Sequence, residues 1–565
     1  MSRAVIRGGQ LNIHNLRMLR QVFFMGFMIS LTIGMLSSFY FLNKEIPKHF
    51  WGQYMASLQA DFYYFYPEKT RESSIINWPE PRGMTKISAN RINSHPYTKN
   101  LKAYIHLKLA EYAFLGLKYA LISFCILSFL WFLKGVRSLK SKQLRGQRIV
   151  SAFYIKWLIR LRLKASDLNI ETVPLIKDSE TKHILVVGTT GAGKTNLLNE
   201  LLPQISGRQN KALVIDTTGD MVAKYYRPDL GDVLINPFDK RSVYWDLLSE
   251  CTHEYQFDSI SKAIVPQSSG HSDPIWSNGA AKLLSVALQK AKKESTSLSS
   301  IHNLLSASPL KMFGRFFKET DASVFAAPEG EKTTMSFRAT LTDSIQFLKH
   351  LDPSQPNFSM SDWVADDKRR NWVFISSNED QMATLKPLIS ALFEVASTSV
   401  MTLQPSQKRR VWFIMDELPA LQRLKSLSAL LSKGRKYGVC LLSGLQSMSQ
   451  FEKEYGHQDA KTILNLFSTK FFFRSTEIST CDQISRWLGE EEIEESRESL
   501  SYGAHQMRDG VSLNHQRLNR KLVLPTEVSQ LPDLVCYAQF PENFPIAKIK
   551  MSYKKIPERN MAFEG

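Results

Sequence analysis

Two long apolar runs with a mixed stretch between them open the chain, and short apolar runs alternating with helical patterns fill the rest. From Val22 to Leu42 no charged residue intervenes, and about 20 such residues is what a bilayer core demands of one helix. The second run, Tyr112 to Leu133, carries only Lys118, near enough to its start for the amine to reach the interface. The first run is long for a signal peptide and no small-residue cleavage site follows at Asn43-Lys44-Glu45, so both runs read as membrane spans. Beyond Ile149 the alternation predicts an α/β domain with a largely parallel sheet. Residues 247–355 depart from it: strong strands are missing and the periodicity is helical, as in Ala280 to Leu288. The predicted plan is therefore a two-helix transmembrane anchor over 1–148, with spans at about 22–42 and 112–133. An α/β domain follows over 149–246 and 356–565, with an all-α domain inserted at 247–355.

Charge orients this plan. Arg3, Arg7, Arg17 and Arg20 precede the first span, and Lys134, Arg137, Lys140, Lys142, Arg145 and Arg148 follow the second. By the positive-inside rule both termini are cytoplasmic and residues 43–111 face the opposite side. That outer segment is aromatic, with Phe62-Tyr63-Tyr64-Phe65-Tyr66, and fits either a small folded domain or a docking surface. The net charge of +19 across 565 residues favours a polyanionic partner, nucleic acid or anionic lipid. Five cysteines, without a CxxC pair or metal-ligand spacing to histidine, read as reduced core thiols.

The chemistry begins at His183-Ile184-Leu185-Val186-Val187, a short buried strand. It runs into Gly188, Thr189, Thr190, Gly191, Ala192, Gly193, Lys194 and Thr195, then a helical pattern. This is a complete Walker A motif in strand-loop-helix context. Glycines let backbone N–H groups wrap phosphates, Lys194 neutralises β and γ oxygens, and the Thr195 hydroxyl takes a Mg²⁺ position. A second strand, Val411 to Met415, delivers Asp416 and Glu417. Asp416 suits Mg²⁺ held through water, and Glu417 suits polarising the attacking water, the Walker B pairing. ATP and Mg²⁺ are the implied substrate and cofactor.

Leu442-Ser443-Gly444-Leu445-Gln446 looks like the signature of cassette ATPases, yet it follows Walker B where that signature precedes it. It reads instead as a strand end carrying Gln446, a candidate γ-phosphate sensor of the RecA-like kind. A further strand, Lys470-Phe471-Phe472-Phe473, ends in Arg474, a candidate arginine finger toward a neighbouring subunit, with Arg435 in Gly434 to Gly438 as its rival.

Longer stretches resemble the type IV secretion coupling proteins of the TraD/TrwB kind. These are Arg145-Gly146-Gln147-Arg148, the Walker A run, Asp216-Thr217-Thr218-Gly219-Asp220, and Gly231 through Asp239. They continue with Asp416-Glu417-Leu418-Pro419, Gly434 to Gly438, and Gly444-Leu445-Gln446-Ser447. Tyr502 to Val511 and Leu531-Pro532-Asp533-Leu534 are similar to the TraD branch. The resemblance implies a RecA-like P-loop NTPase with an all-α domain that meets the relaxosome, anchored in the bacterial inner membrane as a multi-pass protein. It implies a homohexameric ATPase that binds DNA with little sequence preference and passes it, with the attached relaxase, to the secretion channel. The family often has Asp-Pro-x-Gly-Glu where this chain has Thr217 and Asp220. Two other functions remain compatible with the motifs: an FtsK-like DNA translocase, and a nucleotide-switched membrane receptor for protein substrates. The former normally carries more spans and a C-terminal DNA-reading module, which the pattern after Walker B does not suggest.

Overall fold

The computed structural model describes residues 2–63, 65–67, 74–138, 142–266, 274–327, 330–418, 421–501 and 510–565. Pro419 and most of the Tyr502 to Val511 motif lie outside these. The chain divides into two compact units, Met1–Lys142 with Glu494–Gln516, and Gln143–Ile493 with Arg517–Gly565.

In the first unit both apolar runs form helices longer than the spans read from sequence, α1 (Ser2–Glu45) and α2 (Pro96–Ser138). Their apolar windows are only 17% and 6% buried. A soluble core helix would bury most of such a surface, so these apolar faces fit a lipid environment. The two helices touch through small residues. A Cβ on Gly116 would lie 2.7 Å from the Gly34 carbonyl oxygen and would collide with Ser38 Oγ, and Ser38 Oγ donates to Tyr112 O at 2.7 Å. Such close backbone approach is how helices pair where lipid removes the hydrophobic drive. The segment between them is folded: a helix at Lys48–Tyr63, a hairpin of Ile75–Glu80 with Gly83–Ser88, and a turn of helix at Ala89–Ser94. Ile46, Ala60, Ile76, Trp78 and Ile105 form its core.

The second unit is built on a ten-stranded sheet. Its strands in chain order are β1 (Ile149–Ser151), β2 (Ile184–Val187), β3 (Lys211–Asp216), β4 (Val233–Ile235) and β5 (Trp372–Ser376), then β6 (Val411–Met415), β7 (Val439–Leu445), β8 (Thr469–Phe472), β9 (Val535–Gln539) and β10 (Ile546–Lys550). In space they run β1-β10-β9-β8-β2-β7-β6-β3-β5-β4. From β8 to β4 every pairing is parallel, whereas β9 is antiparallel to both neighbours. Parallel strands are covered on both faces, which is why β2, β3 and β6 read as continuous apolar runs. Leu185 and Val187 face one core, Ile184 and Val186 the other. The first core is shared with five helices, α4 (Glu254–Ile264), α5 (Pro274–Glu294), α6 (Leu298–Ala307), α7 (Leu310–Phe317) and α8 (Glu331–Ser344), so the helical stretch and the sheet pack as one body. The helix after the Walker A loop, α3 (Lys194–Gly207), packs on the opposite core. A two-residue parallel ladder, Tyr244–Trp245 against Asn357–Phe358, closes the neck through which the chain enters and leaves the helical stretch.

Candidate functional site

The C-terminal ends of β2, β7, β6 and β3 lie side by side, so the loops that follow them converge. One strand, β7, stands between the Walker A strand β2 and the Walker B strand β6. Gly188 N donates to Leu445 O at 3.0 Å and Thr189 N to Arg474 O at 2.8 Å, tying the loop to its flanking strands. Gly193 has φ 124°, a backbone that side chains rarely adopt, and a Cβ there would also meet the Phe473 ring at 2.8 Å. The loop thus needs glycine for conformation and for space.

Lys194 is buried, and its ammonium donates to the carbonyls of Gly188 at 2.8 Å and Thr189 at 3.1 Å. Two of its three donors are thus engaged by the loop's own carbonyls. Burial lowers its pKa, while Asp416 and Glu417 act in the opposite sense. Burial raises Asp416 to about 6, helped by Asp216, and also raises Glu417. Asp416 Oδ1 is buried with no hydrogen-bond partner among the described residues. A buried carboxylate oxygen left open within electrostatic reach of Lys194 is what a site for a hydrated Mg²⁺ offers, so these residues fit the ion.

Gln446, directly after β7, links the two motifs: Thr190 Oγ1 donates to its Oε1 at 3.0 Å, and its Nε2 donates to Glu417 Oε2 at 3.0 Å. Gly444 in the same strand explains the signature-like sequence, since a Cβ there would overlap the Asp416 carbonyl oxygen. Glycine is required for packing against Walker B.

The two arginines fall in different places. Arg474 follows β8 beside the P-loop of its own chain, with its carbonyl bonded to Thr189 and its guanidinium held by Asp533 at 2.8 Å. Leu534 N also donates to Ala192 O at 3.0 Å, so Asp533 and Leu534 wall the loop. Arg435 lies at the N-terminal end of β7, the opposite edge of the sheet, exposed and without an ion pair among the described residues. There it lines a cleft of about 1090 Å³ with Lys408, Arg410, Lys433 and Lys436.

Two features were given no structural role by the sequence. Asp216, at the end of β3, is fully buried and accepts N–H groups from Thr218, Gly219 and Val222, which shapes the next loop. The C-terminal residues cross that loop as a strap: Asn196 bonds the backbone of Ser552 and Lys554, Arg559 N donates to Ala223 O, and Glu564 N donates to Asp239. Ala562 sits where a Cβ on Gly219 would come within 2.9 Å.

A Walker A strand separated from Walker B by one strand, with a polar residue ending that strand, defines a RecA-like P-loop nucleotide-binding protein. Residues 167–552 match the model of the type IV secretion-system coupling protein DNA-binding domain. The chain is 30% identical over 454 residues to coupling protein TraD of Escherichia coli K12, covering 79% of this chain and 63% of TraD. It is 32% identical to the solved conjugative coupling protein TrwBΔN70, with a TM-score of 0.68 over 75% of this chain and 96% of that one. It also superposes on TrwB in complex with ADP and Mg²⁺, at 31% identity and a TM-score of 0.67, over 75% of this chain and 98% of that one. The chain belongs to the family of type IV secretion-system coupling proteins.

Proposed function

We propose that this chain is an inner-membrane-anchored ATPase that couples ATP hydrolysis to DNA transfer during conjugation, delivering DNA and its attached relaxase from the relaxosome to the secretion channel. The observation that carries it is the hydrogen-bonded chain Thr190–Gln446–Glu417 beside buried Lys194 and an Asp416 Oδ1 that has no hydrogen-bond partner among the described residues, in a chain of this family. The anchor is 1–148, with 43–111 in the periplasm and both termini cytoplasmic. The motor is 149–246 with 356–565, and the helices of 247–355 form its all-α part.

The roles follow from position. The loop amides from Gly188 to Thr195 bind phosphate oxygens, and Lys194 exchanges its loop carbonyls for β and γ oxygens. Thr195 and, through water, Asp416 would hold Mg²⁺, which would supply positive charge against the phosphate oxygens. Glu417 takes the proton of the attacking water. Gln446 holds Glu417 in place and reports on the γ-phosphate by exchanging its Thr190 contact. Arg474 serves its own subunit's site, released from Asp533, while Arg435 serves the nucleotide of a neighbour in a homohexameric ring, a reading its exposure and lack of an ion pair among the described residues support. The excess of Lys and Arg binds the DNA backbone, which confers little sequence preference.

The test is ATP turnover by the purified full-length chain at low salt, with and without single- and double-stranded DNA. DNA should raise turnover, the increase should vanish by about 200 mM salt, and Lys194→Ala should remove at least about 100-fold of activity. A rate indifferent to DNA would reject translocation in favour of a nucleotide-switched receptor.

A further inference from the structure

The helix Ala152–Leu161, whose sequence is AFYIKWLIRL, buries only one side of itself. Ile155 and Ile159 are fully buried against the sheet. The opposite side carries Phe153, Trp157 and Leu161 at helical spacing, 79%, 52% and 60% exposed, with Tyr154 beside Trp157 and Leu163 89% exposed just beyond. Such a contiguous aromatic and aliphatic surface on a folded domain marks a contact. Two cations sit among these residues, Lys156 and Arg160, and neither pairs with a carboxylate among the described residues.

Sequence position says what covers this face. The helix begins shortly after α2 ends at Ser138, and residues 139–151 reach no more than about 45 Å even when fully extended. No Asp or Glu occurs between Glu111 and Asp167, whereas Lys134, Arg137, Lys140, Lys142, Arg145 and Arg148 lead up to the helix. An apolar, aromatic-rich stripe flanked by unpaired Lys and Arg matches a bilayer interface, where rings settle at headgroup depth and cations meet anionic lipid. A neighbouring subunit would have to supply a carboxylate for each cation.

We propose that the helix Ala152–Leu161 docks on the cytoplasmic leaflet as an interfacial helix, with Phe153, Trp157 and Leu161 inserted among acyl chains and Lys156 and Arg160 on anionic headgroups. This rests on the cytoplasmic placement of the motor. It goes beyond that placement by making the motor's first helix a second, lipid-sensitive membrane contact.

The experiment uses the full-length chain in nanodiscs of phosphatidylcholine with or without phosphatidylglycerol. Cys125, the only exposed cysteine among the described residues, is replaced by serine. An environment-sensitive fluorophore is attached at Trp157→Cys or, as a reference on the same unit, at Ser432→Cys. Lipids bearing a nitroxide near the headgroup should quench the probe at 157 at least about twofold more than that at 432. The excess should fall by at least half without phosphatidylglycerol or at about 0.5 M salt, because an exposed electrostatic contact is screened. A Lys156→Gln and Arg160→Gln double variant should lose the anionic-lipid dependence while keeping the melting temperature. Equal quenching at both positions would overturn the proposal. So would a probe shielded only when protein copies associate, which would assign the face to a subunit contact. Thiol labelling at residue 84, on the anchor, reports topology separately, so a wrong placement of the motor would be seen as such.

Discussion

His183 shows how one side chain can knit the site's frame. Its Nδ1 accepts from Leu441 N at 3.2 Å and its Nε2 donates to Leu431 O at 2.9 Å, so the neutral ring joins the start of β2 to β7 and to the helix before it. Burial depresses its pKa to about 4. A group held neutral in the folded chain contributes stability above its unfolded pKa near 6.5, and that contribution is lost as pH falls from 6.5 toward 4, where the unfolded state binds the extra proton. Between pH 6.5 and 5 the loss should be roughly 2 kcal/mol. Denaturant titrations at several pH values check this: His183→Gln should start less stable but lack the slope. The sequence offered His183 only as the head of a strand. Lys194, Asp416 and Glu417 were legible because motif spacing encodes them locally. Asp533, Phe473 and the strap act through contacts between residues far apart in the chain, which no local pattern carries.

Among elements, the anchor helices depend on glycine where they cross. Gly116→Val should cost about 1–3 kcal/mol by overpacking against Gly34 and Ser38, read as a lowered unfolding midpoint in mixed detergent micelles. Gly135→Val, where a Cβ meets no atom of the described residues within 4 Å, should leave it unchanged. The spans were visible as apolar runs, but not the full length of α1 and α2, because the polar ends of both helices look no different from loops. The fold of the intervening segment was equally hidden, as its core is assembled from a helix and a hairpin too short to leave a period. The strands β2, β6 and β7 were readable for the converse reason, being buried on both faces. The shared core of the sheet and the α4–α8 helices is a matter of packing between them, so the sequence showed a helical insertion inside the α/β domain but not the apolar core that joins the two.

For the whole molecule, the placement of the two arginines separates two assemblies. If Arg435 serves a neighbour, mixing Arg435→Ala with Glu417→Gln subunits should restore part of the activity each lacks, because some interfaces then combine an intact Glu417 with an intact Arg435. Mixing Arg474→Ala with Glu417→Gln should restore none, as both act in one subunit's site. ATPase assays across mixing ratios distinguish the two. Membrane topology has its own check: Met84→Cys, placed on the exposed hairpin in a Cys125→Ser background, should react with an impermeant thiol reagent on intact spheroplasts. Labelling only after lysis would reject a periplasmic 43–111.

The strap formed by residues 552–564 ties the start of α3 to the loops after β3 and β4, since Asn196 and Asp239 both bond to it and Ala562 lies against Gly219. Force applied to residues 552–564 is therefore passed directly to the helix behind the phosphate-binding loop and to the Asp216 loop.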